Sequence, residues 1–492
     1  MKNITVILLF NENNKLKQRK EEMMLTVKLN QDTGLKVHLR PTNSDCSMVK
    51  FASEVSDFSA KKGELFFWPK ENSESVLLAG LGELSELKLD DLRTLAFKIV
   101  KELVSHKVKE ASVKLPELEL DAEQALAAFF EGLIHSDYKF NKGTKDKKEQ
   151  EITINVETEV ADAEKVLEEV QNVMEGVFLA RDLTNLTSNE MHPADLANCA
   201  KEKLEPLGVK VTILNEEEML EKGMEAAYSV GKGSSFRPQF VVLEYNGDDS
   251  TKERTALVGK AICYDSGGYS LKPTSGMITM QADMGGAASV IGAFLALAKN
   301  KVKANVIGTF APVENLVSGT SYRVGDIIGS MSGQTIEVEN TDAEGRVTLA
   351  DAIYYATSQD NVTRVIDIAT LTGACVSALG TEFTGAITNN QEFYDEFIEA
   401  SDLAGEKVWQ LPISDDFKKA NKSKVADFTN SAGFGGGTIT AGLFVGEFLA
   451  DKDLPWIHLD VAGTAYLGKP CGYLPERATG VHVKAFYNLL AK

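Results

Sequence analysis

The chain has 492 residues, of which 43% are hydrophobic and 25% are charged, and it carries a formal net charge of −20. This length exceeds one compact core and predicts two or three domains. The acidic balance argues against nucleic acid as a main partner, because phosphate backbones would be repelled. No apolar run reaches the roughly 18 residues of a membrane-spanning helix. The five cysteines are scattered without a CxxC pair, so we expect a cytoplasmic protein with reduced thiols and no membrane anchor.

The first 160 residues alternate predicted strands and helices. The start, MKNITVILLF, has only a short apolar core and lacks a small-residue cleavage site, so we interpret residues 4–10 as a strand rather than a signal peptide. Further strands are predicted at 64–68, 75–82 and 111–115, and amphipathic helices at 90–104 and 122–134. The polar run 142–150 predicts a surface loop. We therefore expect a small α/β domain over residues 1–160.

A predicted helix over 161–182 connects this domain to a larger one over 183–492. Strand-like runs follow at 240–245, 255–261, 305–313, 335–340, 364–371 and 456–463, with helices such as 288–300 and 441–451 between them. This alternation predicts an α/β sandwich, with helices on both faces of a mostly parallel, mixed central sheet. In such sheets, ligands bind beyond the carboxyl ends of the strands.

Acidic residues collect at one such position, in the stretch NTDAEGRVTLADA, residues 340–352. It follows the predicted strand 335–340, and a predicted helix, LADAIYYAT at 349–357, begins within it. Asp342, Glu344 and Arg346 are therefore expected on the turn between strand and helix.

A second stretch, residues 258–289, has the same character. Lys260 closes a predicted strand, Asp265 enters a Ser-Gly-Gly turn, Lys272 follows, and Asp283 precedes Gly285 and a helix. Both stretches thus place acids and bases in loops that come after strands.

Four carboxylates in one cleft would repel each other and would need counter-charge. Lys260, Lys272 and Arg346 could supply some of it. A pair of divalent cations, bridged by carboxylates, could supply more and would make a hydrolase without a serine or cysteine nucleophile. The residues leave alternatives open. The acids could be solvated, Asp283 could cap its helix, and Arg346 could pair with Glu344. A two-metal phosphohydrolase could use similar acids, and the scaffold could be a non-enzymatic interaction or DNA-binding protein.

At these residues the sequence resembles the leucyl aminopeptidase family, also called cytosol aminopeptidases. The family signature NTDAEGR is intact at 340–346, and Lys260, Asp265, Lys272 and Asp283 keep the family spacing of five, seven and eleven residues. Weaker similarities occur at 180–185, 369–374, 409–412, 425–430, 458–463 and 478–480. The resemblance extends from about Val177 to the end of the chain.

The resemblance implies a role for each matching residue. Two divalent ions, Mn²⁺ or Zn²⁺, would be held by Lys260, Asp265, Asp283, Asp342 and Glu344. Lys272 would polarise the scissile carbonyl, and Arg346 would hold a bicarbonate ion that acts as general base. The pocket for the first side chain would be lined by Met280, Thr370 and Ala462, and the Leu371 backbone would help place the free amine.

The resemblance also implies what the whole protein does. It would be a homohexameric metalloexopeptidase that releases single N-terminal amino acids from peptides with a free N-terminus. Leucine and other apolar residues would be preferred, and a metal-bridging hydroxide would attack the first peptide bond.

Overall fold

The computed structural model describes residues 10–11, 15–16, 24–69, 75–140, 150–433 and 435–492. The predicted strand 4–10, apart from its last residue, and the predicted loop 142–150, apart from its last residue, lie outside these ranges. The described chain divides into two compact units. The first runs to Glu175 and includes Pro470–Pro475, and the second contains Gly176–Lys469 and Glu476–Lys492.

The first unit is an α/β fold. Its strands are β1 (Phe10–Asn11), β2 (Lys15–Leu16), β3 (Leu25–Leu29), β4 (Leu35–Pro41), β5 (Leu65–Trp68), β6 (Val76–Gly82), β7 (Glu110–Lys114) and β8 (Ile152–Glu157). Its helices are α1 (Ser47–Val55), α2 (Leu89–Ser105) and α3 (Ala122–His135). Six strands form a sheet in the order β3-β8-β7-β4-β6-β5, in which only β5 is antiparallel to its neighbour. Strand β6 is buried at every position, which explains why it reads as a continuous apolar run.

The predicted connecting helix is a single helix, α4 (Ala163–Asn185). It begins in the residues of the first unit and ends in those of the second.

The second unit is larger. Its strands are β9 (Lys210–Leu214), β10 (Phe240–Asn246), β11 (Arg254–Gly259), β12 (Ile262–Asp265), β13 (Asn305–Phe310), β14 (Val313–Asn315), β15 (Ile327–Ile328), β16 (Ile336–Glu337), β17 (Val362–Ala369), β18 (Thr384–Thr388), β19 (Val408–Gln410), β20 (Phe428–Thr429), β21 (Trp456–Asp460), β22 (Tyr466–Leu467) and β23 (Arg477–Ala478). Its further helices are α5 (Pro193–Leu204), α6 (Glu216–Glu221), α7 (Glu225–Gly231), α8 (Thr274–Met277), α9 (Gly285–Lys299), α10 (Glu344–Thr357), α11 (Gly373–Leu379), α12 (Gln391–Ala404), α13 (Asp415–Ala420), α14 (Gly437–Gly446) and α15 (Val483–Leu490).

An eight-stranded sheet in the order β19-β18-β21-β17-β11-β13-β10-β9 forms the centre of this unit. The four middle strands β21, β17, β11 and β13 are mutually parallel, whereas β10 and β9 join antiparallel at one edge. Helices cover both faces. A Cβ added to Gly308 of β13 would meet Phe294 of α9, while the next residue, Thr309, donates its hydroxyl to Ala352 of α10. Because successive strand residues face opposite sides, α9 and α10 lie on opposite faces. The predicted α/β fold with a mostly parallel, mixed sheet is confirmed.

Two predicted elements around the acidic stretch were wrong in extent. The predicted strand 335–340 is reduced to β16 (Ile336–Glu337), because the backbone N–H groups of Glu339 and Asn340 donate to the side chain of Asn430 instead of to another strand. Helix α10 begins earlier than expected, at Glu344. Glu344 and Arg346 therefore lie on its first turn, and not on a loop before it.

One segment, residues 274–299, is long and apolar enough to cross a membrane by composition alone. It comprises α8, a short 3-10 turn and α9. Of its most apolar window, 89% is buried inside the protein, as expected of a helix that packs against the central sheet.

We predict that Asp351→Ala destabilises the protein. Asp351 is completely buried on α10, and its two oxygens accept the backbone N–H groups of Ala227 and Met331, each at 2.8 Å. Its loss leaves both donors buried without a partner, at a cost of about 1–3 kcal/mol each. Chemical denaturation would measure the change, with the exposed Asp360→Ala as control. Equal unfolding midpoints for the two variants would contradict this role.

Candidate metal centre

The two acidic stretches meet at one place in the second unit. One oxygen from each of Asp265, Asp342 and Glu344 lies within 4.8 Å of the other two. Asp265 ends strand β12, and Glu344 begins helix α10. The structure thus brings together carboxylates that are about 80 residues apart in sequence, one at the end of a strand and another at the start of a helix.

Lys260 lies among these acids with only 4% of its side chain exposed. Its Nζ is 2.7 Å from Asp283 Oδ1 and 2.9 Å from Glu344 Oε1, and it donates to the Thr370 carbonyl at 2.9 Å. Burial lowers the pKa of Lys260, but Asp283, Glu344 and Asp265 outweigh it and raise the pKa above its ordinary value. With only the protein's own charges around it, Lys260 is therefore an ammonium.

The glycine of the NTDAEGR signature makes room for this lysine. A Cβ on Gly345 would lie 2.3 Å from Lys260 Cε and 2.7 Å from its Nζ. No real Cβ tolerates such contacts, so the first turn of α10 can approach Lys260 only without a side chain at position 345.

Lys272 forms the second ionic link between the two stretches. Its Nζ lies 2.8 Å from Asp265 Oδ2 and 2.5 Å from Asp342 Oδ1. Burial lowers the pKa of Lys272, but the neighbouring carboxylates, Asp265 first, raise it above its usual range. Asp283 does not cap a helix, since its Oδ1 accepts from Lys260 and from the Thr370 hydroxyl.

The charges within this cluster do not balance. Four carboxylates face two ammonium groups, which leaves two formal negative charges. Burial first, and repulsion between the carboxylates second, raises the pKa of Glu344. Burial also raises the pKa values of Asp283 and Asp342. Asp283 Oδ2 and Glu344 Oε2 are buried without a hydrogen-bond partner. Excess negative charge and unpartnered carboxylate oxygens fit divalent cations such as Mn²⁺ or Zn²⁺.

Arg346 lies beside this cluster but is not paired with Glu344 by a hydrogen bond. Its Nη1 donates to the Asn430 carbonyl at 2.9 Å, and its Nε is buried without a partner. Burial lowers the pKa of Arg346 to about 10. The guanidinium therefore retains a buried donor that could meet a small anion.

The residues predicted to line the substrate pocket occupy three loops. Thr370 contacts both Lys260 and Asp283. The backbone N–H groups of Leu371 and Ala462 both donate to Asp460 Oδ1, at 3.2 and 3.1 Å. Met280 begins the short 3-10 turn that immediately precedes Asp283.

Comparisons with known proteins match the chain to one family. The sequence model of the cytosol aminopeptidase catalytic domain matches residues 178–487, and the model of the N-terminal domain of the same family matches residues 48–148. The chain belongs to the cytosol aminopeptidase family.

Its relatives include proteins from several bacteria. A probable cytosol aminopeptidase of Treponema denticola is 49% identical over 440 residues, which cover 88% of this chain and 92% of the relative. One from Clostridium tetani is 45% identical, over 90% of this chain and 93% of the relative. Among solved structures, the bottromycin maturation enzyme BotP in complex with Mn is 30% identical, with a TM-score of 0.86 over 93% of this chain and 99% of that one.

Membership in this family establishes the class of reaction. The protein is a hydrolase, a metal-dependent aminopeptidase that acts on peptides. The phosphohydrolase and the non-enzymatic interpretations, which the acids alone left open, are thereby set aside.

Three buried polar residues that bond to the predicted site residues or to their neighbours were missed by sequence reasoning. They are Asn315, Asn430 and Asp460, each with no exposed surface. Asn430 and Asp460 lie in segments that resemble the family, so their polar character within apolar surroundings was the available signal. Asn315 lies two residues beyond the predicted run 305–313 and outside any motif that was recognised.

We predict that Gly345→Ala displaces Lys260 and lowers metal content. The added Cβ would overlap the lysine side chain, which would have to leave Asp283 and Glu344. Atomic emission would measure the metal retained per chain after dialysis. Gly373→Ala is the matched control, because a Cβ there has no heavy atom within 4 Å. Unchanged metal content in Gly345→Ala would show that the placement of Lys260 is unimportant.

Proposed function

We propose that the aminopeptidase reaction takes place at this cluster and that two divalent ions are held there. Asp265 and Glu344 would contact both ions, Asp342 would complete one site, and Lys260 with Asp283 would complete the other. Lys260 would have to lose its proton to do so, because an ammonium has no lone pair for a metal. The observation that supports this most directly is the close set of oxygens from Asp265, Asp342 and Glu344. When bound, the ions would supply Lewis acidity and a water of lowered pKa.

Lys272 is the proposed electrophilic residue. Its ammonium is held by Asp265 and Asp342, and the pKa of Lys272 is raised by these carboxylates, so the side chain stays charged at neutral pH. A fixed positive charge at this point stabilises the negative charge that develops on the carbonyl oxygen of the first peptide bond.

Arg346 is the proposed site of a bicarbonate ion. Its unpartnered, buried Nε supports this assignment, because a guanidinium donates to planar oxyanions through several N–H groups. A bicarbonate held there would accept a proton as general base.

The proposed substrate is a peptide with a free N-terminus and an apolar first residue, such as leucine. Met280, Thr370 and Ala462 would line the pocket for the first side chain, and the Leu371 backbone would place the amine. Support comes from Thr370, which contacts Lys260 and Asp283 and so places this loop directly beside the acids.

Assembly, location and domain limits complete the proposal. We propose a cytoplasmic homohexamer, with an N-terminal domain over 1–160, a connecting helix over 161–182 and a catalytic domain over 183–492. Exposed apolar side chains within the first acidic stretch and in the segment that follows it support self-association; they are Tyr269, Leu271, Ile278, Val317, Val324 and Ile327. All five cysteines are unpaired, which fits a reducing compartment.

We predict that removing Lys260 and removing Lys272 have different effects on metal content and on kcat. Lys260→Ala should lower the metal content below two ions per chain, and excess metal should partly restore activity. Lys272→Ala should keep both ions and lose roughly 10²–10³-fold in kcat, the scale of one lost oxyanion donor. Metal content by atomic emission and kcat would be measured on both variants.

The exposed Lys303→Ala serves as control for these two variants. If Lys272→Ala loses an ion while Lys260→Ala keeps two, the roles are reversed. If neither variant changes metal content or rate, the reaction takes place elsewhere.

We predict a preference for apolar N-terminal residues and a requirement for the free amine. Leucyl, methionyl, aspartyl and lysyl amides would be compared by kcat/KM, together with N-acetyl-leucyl amide. The apolar substrates should be cleaved fastest and the acetylated one not at all, since its amine is blocked. Faster cleavage of the charged amides would overturn the proposed pocket.

A further inference from the structure

Asn315 lies at the end of strand β14, between the two acidic stretches, and is completely buried. Its Nδ2 donates to Asp265 Oδ1 at 2.8 Å and to the Thr341 carbonyl at 2.9 Å. One amide group thus joins the carboxylate of the first stretch to the backbone of the second, one residue before Asp342.

Both partners of this amide group are acceptors, so the nitrogen and not the oxygen must face them. The Asn315 Oδ1 is then buried without a hydrogen-bond partner. It faces Gly268, where a Cβ would come within 2.8 Å of it. An unpartnered buried carbonyl destabilises a fold. Stability alone therefore does not explain an asparagine here. The position requires its two N–H donors, one for Asp265 and one for the Thr341 carbonyl.

The donor that bonds Asp265 helps to fix which way that carboxylate points. Asp265 Oδ1 accepts a second hydrogen bond, from the backbone N–H of Gly267 at 2.8 Å. Two N–H groups thus occupy Oδ1 and prevent the carboxylate from turning. The other oxygen, Oδ2, faces the cleft, where it lies 2.8 Å from the Lys272 ammonium.

Other hydrogen bonds join the same two stretches but do not reach the carboxylate. The Thr341 hydroxyl donates to the Gly267 carbonyl and accepts the backbone N–H of Ser270. The Tyr322 hydroxyl, from the segment between the two stretches, also donates to the Thr341 carbonyl. These bonds hold the backbones in place, so the loops should stay where they are when Asn315 is changed, while Asp265 Oδ1 keeps only the Gly267 N–H and the carboxylate can turn more easily.

We propose that Asn315 is a positioning residue for the metal centre, whose amide holds Asp265 in the orientation that binds a divalent cation. The inference rests on the proposed function, because it takes Asp265 as a ligand. Partners that orient ligating carboxylates typically change metal affinity by about 10–100-fold when they are removed.

A second buried asparagine provides a matched control. Asn305 on β13 also donates through Nδ2 to two acceptors, the Asp248 and Thr251 carbonyls, at 3.0 and 2.9 Å. It is 7% exposed, and its partners belong to a loop without any of the proposed ligands. Asn305→Ala therefore reproduces the loss of a buried amide without touching the acidic cluster.

The experiment uses the full-length protein after removal of metal by chelation. Mn²⁺ is titrated into wild type, Asn315→Ala and Asn305→Ala, and free Mn²⁺ is followed by electron paramagnetic resonance. Unfolding midpoints of the metal-free proteins are measured in parallel. We expect Asn315→Ala to bind Mn²⁺ about 10–100-fold more weakly than wild type. Asn305→Ala should lose stability but keep the affinity of wild type.

Asn315→Thr covers the case in which the alanine variant does not fold. Threonine has similar volume and suits a strand, but offers one hydroxyl donor for two acceptors. It should bind Mn²⁺ more weakly than wild type. Wild-type affinity in either Asn315 variant, or equal loss of affinity in Asn305→Ala, would overturn the inference alone. A wild type that binds no Mn²⁺ would overturn the ligand assignment as well.

Discussion

The buried side chain of Lys260, between Asp283 and Glu344, is the group on which the rest of this cluster depends. With only the protein's own charges around it, its ammonium neutralises part of a cluster whose carboxylates would otherwise repel one another at close range. The contact requires the first turn of α10 to pass directly over the lysine side chain, and the absence of a Cβ at Gly345 permits this. One buried lysine therefore constrains the start of a helix and the identity of the residue between Glu344 and Arg346.

Hydrogen bonds connect helix α10, which passes over Lys260, to other parts of the second unit. Near its start, Asn430 accepts the N–H groups of Glu339 and Asn340, and its own carbonyl accepts from Arg346. Further along, the Asp351 carboxylate binds the backbone of Ala227 and Met331. The helix is thus attached by hydrogen bonds both at the turn that bears the acids and in its middle. Such attachment keeps charged side chains in fixed positions, which a preorganised electrostatic site requires.

The site also shows that stability and function are served by different residues. Asn305 and Asp351 bond backbone groups outside the acidic cluster, whereas Asn315 leaves its own oxygen unpartnered while it bonds Asp265. Polar groups that are costly for the fold are tolerated where they orient ligands. The two lysines of the cluster also differ in exposure. Lys260 is deeply buried, whereas 17% of the Lys272 side chain is exposed.

Local sequence was sufficient for the features that depend on neighbours along the chain. The amphipathic patterns predicted α2 and α3 to within one residue of their observed ends, and the NTDAEGR and lysine-aspartate spacings identified the ligand candidates and the family. Sequence patterns did not reveal β3, β4 and β8, whose mixed composition becomes a sheet only through pairing. Nor did they reveal Asn315 or Asn430, whose partners are 50 and 90 residues away. Only the order of strands in the folded sheet brings such residues together, because hydrogen bonds across that distance are set by tertiary packing and not by local spacing.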